Sequence, residues 1–361
     1  MSMSRSVIAF VAIAASASFC VLVPGCQTRG SSSTASPRVS AYEESSAPAD
    51  PNSSSSTSRG SMPGGVVGVP KSSAMTTIGP GFEHAGPWVS FYGTASQMGD
   101  LTRVAQSYRI INIDADPGAG NFTDAQLATL RGGGRNHLIS YLNIGSCEHY
   151  RTYWSKVAPE FVSCGANVTA QRGSYEGYPD ETWMDLGNPE YQRLIVEYVA
   201  PRLASRVDGF YLDNLEILEH SPTSKNGPCS ASCRQGGLDL IRKLREKFPR
   251  HLLVMQNATS EVTREGMTGG VRFATLLDGI AHEEVYAPKY DDSAEEQLVA
   301  WSVLRLANAA GRPFWIGVED YVGSCESKSA AQRAFARARA RGFSPYATDQ
   351  SGGQKLVCFW D

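Results

Sequence analysis

A run of eight short apolar segments, nearly all ending in acids or amides, constrains this chain more than any other feature. In order they are WVSFYG, RIINIDAD, HLISYLNIG, GFYLDN, LLVMQN, GIAHEEVY, FWIGVEDY and FSPYATD. Each has the length of a buried strand, and helix-length stretches such as NPEYQRLIVEYVAPRLASR and LDLIRKLREKF fall between them. Asn188-Pro189 opens the first of these helices as an N-cap and first-turn pair. Eight strand-helix units in roughly 280 residues predict an α/β fold, the (β/α)8 TIM barrel. A doubly wound open sheet is the rival, but no GxGxxG loop follows the first strand.

The polar residues collect at the C-terminal ends of the segments: Asp114 and Asp116, Asn143, Asp213 and Asn214, Gln256 and Asn257, Glu283 and Glu284, Glu319 and Asp320, Asp349. In a barrel those ends meet at one rim, where active sites are built. Strand alternation places Asn112, Asp114 and Asp116 on one face and Ile111 and Ile113 on the other, so the polar face is expected to point into the barrel. A single acid there is as well explained as a helix cap or an ion-pair partner. Several on successive strand ends raise one another's pKa at a cost in stability. Such a cluster suits chemistry that needs one ionised and one protonated carboxyl, and glycoside hydrolysis is the reaction that asks for two carboxyls and no cofactor.

Outside the barrel segment the chain divides into two further parts. Arg5 precedes an apolar run from Val7 to Val23 that stops at Pro24-Gly25-Cys26, which reads as a signal peptide over residues 1–26. Its LVPGC ending is similar to a bacterial lipobox and makes Cys26 the expected lipidation site and membrane anchor; an ordinary secretory signal is the alternative. Residues 27–80, rich in Ser, Thr, Pro and Gly, bury too little to offset their ordering entropy and read as a tether to the body at 81–361. Six of the eight cysteines lie in that body, and in an exported protein an even set favours disulfides. Proximity favours Cys147 with Cys164, Cys229 with Cys233 and Cys325 with Cys358. A formal charge of −3 supplies no basic field for nucleic acid. His149, His220 and His282 show no HxH or HExxH spacing, so no metal is expected.

Taken together, SYLNIGSCEHYRTYW, DETWMDLGNPEYQRLI, VDGFYLDNLE and the strand ending HEEVY resemble the successive motifs of glycoside hydrolase family 114, the endo-α-1,4-polygalactosaminidase-like barrels. The resemblance runs from about Trp88 to Asp349. It implies a retaining endo-hydrolase of galactosamine-containing α-1,4-linked polysaccharide, with Asp213 as nucleophile and Glu283 as acid/base; a monomer is expected. Asp114, Tyr141, Asn143, Glu148, Arg151, Asp185, Asn214, Asn257, Glu284 and Tyr321 would line the sugar subsites. The chain departs from the family pattern at Tyr211, Gln256, Glu284 and Tyr286, and Glu284 beside Glu283 leaves two candidates for the acid/base. Two further readings stay open on the residues: another α-linked amino-sugar polymer as substrate, or a carbohydrate-binding barrel without turnover.

Overall fold

The computed structural model describes residues 75–360, so the expected signal peptide, Cys26 and most of the tether lie outside the described residues. All eight expected segments form strands: β1 (Trp88–Phe91), β2 (Ile110–Ile113), β3 (His137–Asn143), β4 (Gly209–Asp213), β5 (Leu252–Gln256), β6 (Gly279–Glu283), β7 (Trp315–Tyr321) and β8 (Ser344–Thr348). Each pairs in parallel with the next, in chain order. Trp88 Nε1 closes the circle by donating to the Ser344 carbonyl at 2.8 Å, joining β1 to β8 in a near-closed TIM barrel. Ahead of the body expected to begin at residue 81, Thr76–Thr77 already pairs in parallel with Ala307–Asn308.

The lower barrel is filled by large rings from alternate strand positions. Trp88 packs edge-on against Trp315 with centroids 5.1 Å apart, and lies 5.9 Å from Tyr346 and 6.4 Å from Tyr211. A Cβ on Gly317 would stand 2.3 Å from the Trp315 ring, so glycine is what lets the indole lie in the barrel. Because side chains alternate, the ring layer fixes what lies above it: Tyr211 inward places Asp213 inward, at the rim.

The outer helices follow from local rules. The longest, Ala231–Lys247, begins seven residues before the apolar stretch LDLIRKLREKF because the Ser230 side chain caps the Cys233 N–H. Leu238, Ile241 and Leu244 turn to the barrel, while Gly236 lies so close to Gly187 that a Cβ would come within 2.3 Å of its Cα. The stretch after Asn188-Pro189 is interrupted: Leu194–Val199 is π-helical immediately before the turn that carries Pro201, which has no N–H to continue the ladder. The three disulfides pair as proximity favoured, Cys147–Cys164, Cys229–Cys233 and Cys325–Cys358.

One element was not expected. After β3 the chain builds a three-stranded antiparallel sheet from Ser146–Glu148, Tyr178–Met184 and Gln171–Tyr175. Trp183 is buried in it, stacked on Tyr175 at 4.0 Å and donating Nε1 to Asn226 Oδ1 at 2.6 Å. Among the described residues no helix is long and apolar enough to cross a membrane.

Candidate active site

Asp213 and Glu283 end β4 and β6, two strands apart on the same rim. Burial raises the Asp213 pKa, and the negative charge of Glu283 raises it further; the Asn214 N–H and the Tyr141 hydroxyl oppose the shift. The charge of Glu283 therefore disfavours ionisation of Asp213.

Glu283 is held on both oxygens. Oε2 accepts from Asn257 Nδ2 at 2.8 Å, while Oε1 accepts from the Tyr321 hydroxyl and from Gln354 Nε2 at 2.9 Å. Asn257 completes a two-point clamp by accepting from the Glu283 N–H at 3.0 Å, and its own φ of 61° turns the chain sharply to do so. Glu284 is exposed, with a φ of 55° that turns its side chain away from the sequence alternation. Partial desolvation by the neighbouring rim, and then the charge of Glu283, raise its carboxyl despite that exposure, and Glu283 is the acid of the two that perturbs Asp213.

Asn143 and Asn214 meet behind the pair. Asn214 Nδ2 donates to Asn143 Oδ1 at 3.1 Å and to Ser146 Oγ at 2.9 Å, and Ser146 Oγ donates to Glu181 Oε2 at 2.6 Å. Asn214 has a φ of 61°, and its carbonyl oxygen would be 1.7 Å from a Cβ on Gly145. That contact is the physical reason for glycine in the stretch SYLNIGSCEHY.

Asp114, Glu148 and Arg151 form a buried ion network. Arg151 Nη1 reaches both Asp114 oxygens at 3.0 and 2.9 Å, and Nε and Nη2 each reach a Glu148 oxygen at 3.2 Å. With Glu148 only 1% exposed and Arg151 only 6%, these groups offer little surface to a sugar. The guanidinium instead sits 5.5 Å from the ring of Tyr141, whose hydroxyl helps to lower the Asp213 pKa. Asp185 is engaged elsewhere: it pairs with Arg172 and accepts the Gly187 N–H at 2.9 Å, bracing the turn ahead of the helix at Pro189. The expected subsite roles of these four residues thus find supporting contacts where sugar contacts were anticipated.

Three acids in all crowd Asp213. Glu216, three residues on, is raised well above the usual carboxylate range by burial and then by Asp213; one of its oxygens takes the Tyr175 hydroxyl at 3.4 Å and the other is buried without a partner. Glu181 is raised by burial and then by Glu148. Tyr178, 56% exposed at the hairpin tip, packs against Tyr175 with centroids 4.8 Å apart, and the pKa of its hydroxyl is raised by burial and then by Glu283, Glu181, Asp213 and Glu216.

A model of glycoside-hydrolase family GH114 matches residues 85–360. The chain belongs to that family. The family is one of glycoside hydrolases by its description, which favours an enzyme over a barrel without turnover. The sequence is 26% identical over 219 residues to an uncharacterised protein of Deinococcus radiodurans, an alignment covering 59% of this chain and 64% of that one, so it spans less than two thirds of the relative. The fold is similar to the glycoside hydrolase domain of PelA from Pseudomonas aeruginosa, with a TM-score of 0.54 and 17% identity over 75% of this chain and 98% of that domain. It is also similar to Aspergillus fumigatus Ega3, solved in complex with galactosamine, with a TM-score of 0.51 and 13% identity over 77% of this chain and 93% of that one.

Within this GH114 site, sequence reasoning missed Gln354, Glu181, Glu216 and the Tyr175–Tyr178 hairpin tip. Glu216 carried a signal, an acid in the same short stretch as Asp213. Gln354, in the polar tail SGGQKL, carried none.

Proposed function

We propose that this protein is an exported, membrane-anchored hydrolase that cleaves α-1,4-linked galactosamine-containing polysaccharide internally and with retention of configuration. The observation that carries the reading is the placement of two carboxyls, Asp213 and Glu283, on the ends of two barrel strands, close enough that the charge of Glu283 raises the Asp213 pKa, with Glu181 and Glu216 crowded beside them. Acids with so little cationic compensation around them favour a substrate bearing ammonium groups, as the galactosamine bound by the Aspergillus protein does. The hairpin tyrosines give an apolar ring face beside that charge, suited to a pyranose.

In the first step an Asp213 oxygen attacks the anomeric carbon, the bond to the glycosidic oxygen breaks, and Glu283 delivers its proton to that oxygen. In the second, Glu283 takes a proton from water as the water oxygen attacks the same carbon, and Asp213 leaves as carboxylate. Tyr141 and the Asn214 N–H stabilise the carboxylate that Asp213 must present, and Tyr321, Asn257 and Gln354 orient Glu283. Asn143, Asn214 and Glu181 shape the floor, while Asp114, Glu148 and Arg151 brace Tyr141. Cys26 supplies the lipid anchor and residues 27–80 the reach to a polymer outside the membrane. The three disulfides accord with an oxidising compartment.

One observation favours the opposite division of labour: Glu283 accepts three hydrogen bonds, which suits a resident carboxylate, whereas Asp213 is the carboxyl raised by burial. Sodium azide separates the two. With an activated aryl α-galactosaminide, Glu283→Gln is expected to keep turning over and to release the α-configured azide, while Asp213→Asn is inactive. Reversed behaviour of the two variants assigns the nucleophile to Glu283. Loss of membrane association in Cys26→Ala is the expected result for the anchor, and retention there refutes it.

A further inference from the structure

Beyond β8 the described residues form no further helix or strand, yet one side chain of this tail enters the barrel mouth. Gln354 is 3% exposed, while Ser351, Gly352, Gly353, Lys355 and Leu356 around it face solvent. Its backbone has a φ of 47°, a left-handed conformation that costs a non-glycine residue energy, and its carbonyl accepts the Tyr92 N–H at 2.7 Å. Every polar atom of the amide is used. Ser90 Oγ donates to Oε1, and Nε2 spends its two protons on Glu283 Oε1 at 2.9 Å and the Tyr321 oxygen at 3.2 Å.

The tail is fastened on the far side of that contact. Cys358, four residues on, is disulfide-bonded to Cys325, its carbonyl accepts the Tyr108 hydroxyl at 2.6 Å, and Trp360 Nε1 donates to the Ala347 carbonyl at 2.8 Å. A segment that only packed against the barrel would bury apolar groups. This one packs Val357 and Phe359 on the core and, in addition, buries an amide against the carboxylate that ends β6.

We infer that Gln354 is a positioning residue for Glu283, supplied by the disulfide-fastened C-terminal tail rather than by the barrel strands. The inference rests on Glu283 being one of the two working carboxyls and deepens that reading by naming what aims it. Asn257 holds one carboxylate oxygen and Tyr321 the other, but the Tyr321 hydroxyl hydrogen can turn about its C–O bond. The amide of Gln354 ties carboxylate and phenol together and to Ser90 on β1, so the acid cannot swing about its side-chain torsions. A side chain released from that hold spends part of its time misaimed, and misaiming lowers turnover without weakening substrate binding.

The test is Gln354→Met in the full-length protein, which keeps the chain length and loses the hydrogen bonds. Expected is a fall in kcat of about tenfold, the loss typical of one hydrogen bond to a charged group, with KM within about twofold of the parent. A role confined to holding the tail would lower thermal stability and leave kcat of the folded enzyme alone. Wild-type kcat, or parallel changes in kcat and KM, overturns the inference. Should the Met variant fail to fold, Gln354→Asn, which stays polar but falls one methylene short, is read by the same criteria. A crystal structure of the variant tests the same point without substrate: Glu283 distributed over more than one side-chain conformation supports the inference, and Glu283 unmoved in a single one refutes it. If the parent protein cleaves no galactosamine polymer, the proposed function fails while this structural readout still stands.

Discussion

Replacing Arg151 by methionine isolates the buried ion network behind Tyr141. The substitution keeps much of the stem but removes both halves of a double clamp, four contacts of 2.9 to 3.2 Å to Asp114 and Glu148. The side chains are 5%, 9% and 1% exposed for Arg151, Asp114 and Glu148, so solvent does little to compensate. Leaving one buried partner uncompensated costs about 3–5 kcal/mol. At ~2.1 cal/mol/K of unfolding entropy per residue, a body of this size carries about 0.6 kcal/mol/K, which converts the loss into a Tm lower by about 5–8 °C. The deficit also depends on pH. Burial already holds the Asp114 carboxyl above its unfolded value, with Arg151 the chief opposing influence. Without the guanidinium the folded-state titration moves up further. The folded variant then binds a proton that the unfolded chain releases, so stability is retained below the unfolded value of about 3.9 and lost as pH rises toward the raised one. Thermal unfolding followed by circular dichroism at pH 4.5 and 7.5 should show the larger gap from the parent at pH 7.5. A gap under 2 °C, or equal gaps at the two pH values, refutes the reasoning.

Three other perturbations read the site more locally. Because Asp213 must be ionised to attack and Glu283 is a cause of its raised titration, Glu283→Gln should move the acid limb of kcat/KM on an activated aryl glycoside to lower pH; an unmoved limb removes the coupling. Gly145→Ala, whose Cβ would meet the Asn214 carbonyl at 1.7 Å, should cost several-fold in activity and about 2 kcal/mol or more in stability, checked by kinetics and chemical denaturation; a neutral result means that the loop can yield. The double variant Cys325→Ser/Cys358→Ser opens a loop spanning 33 residues and should lose about 3–4 kcal/mol on the chain-entropy scale, with a fall in kcat that follows the freed tail. Parent-level kcat in that variant would detach the disulfide from Gln354.

The barrel was legible because its strands are short, apolar and punctuated, and because inward positions alternate reliably: β2, β4 and β7 place Asn112, Asp213 and Tyr321 where a period of two puts them. The helix boundaries were less so, since the Ser230 cap lies outside the apolar stretch that signalled the helix. Within the site, strand-end acids could be picked out as a class but their division could not. Whether a carboxylate meets Arg151, as Asp114 and Glu148 do, or a neutral donor, as Glu283 does, depends on loops brought together from distant parts of the chain. Glu283 and Glu284 were equivalent in sequence, and it took the left-handed backbone at Glu284 to separate them. The hairpin at Gln171–Met184 was hidden because its strands are polar and half exposed, without the apolar alternation that marks the barrel. Gln354 was invisible because nothing in a polar tail says where a disulfide closing a 33-residue loop will lay it down.

The most direct test of the account is the configuration of the first product. Full-length protein mixed with partially deacetylated α-1,4-galactosamine polymer, followed by proton NMR before the anomers equilibrate, should show new internal reducing ends that appear first as the α-anomer. The β-anomer appearing first would contradict the retaining roles given to Asp213 and Glu283, and the absence of any new reducing end would contradict the proposed substrate.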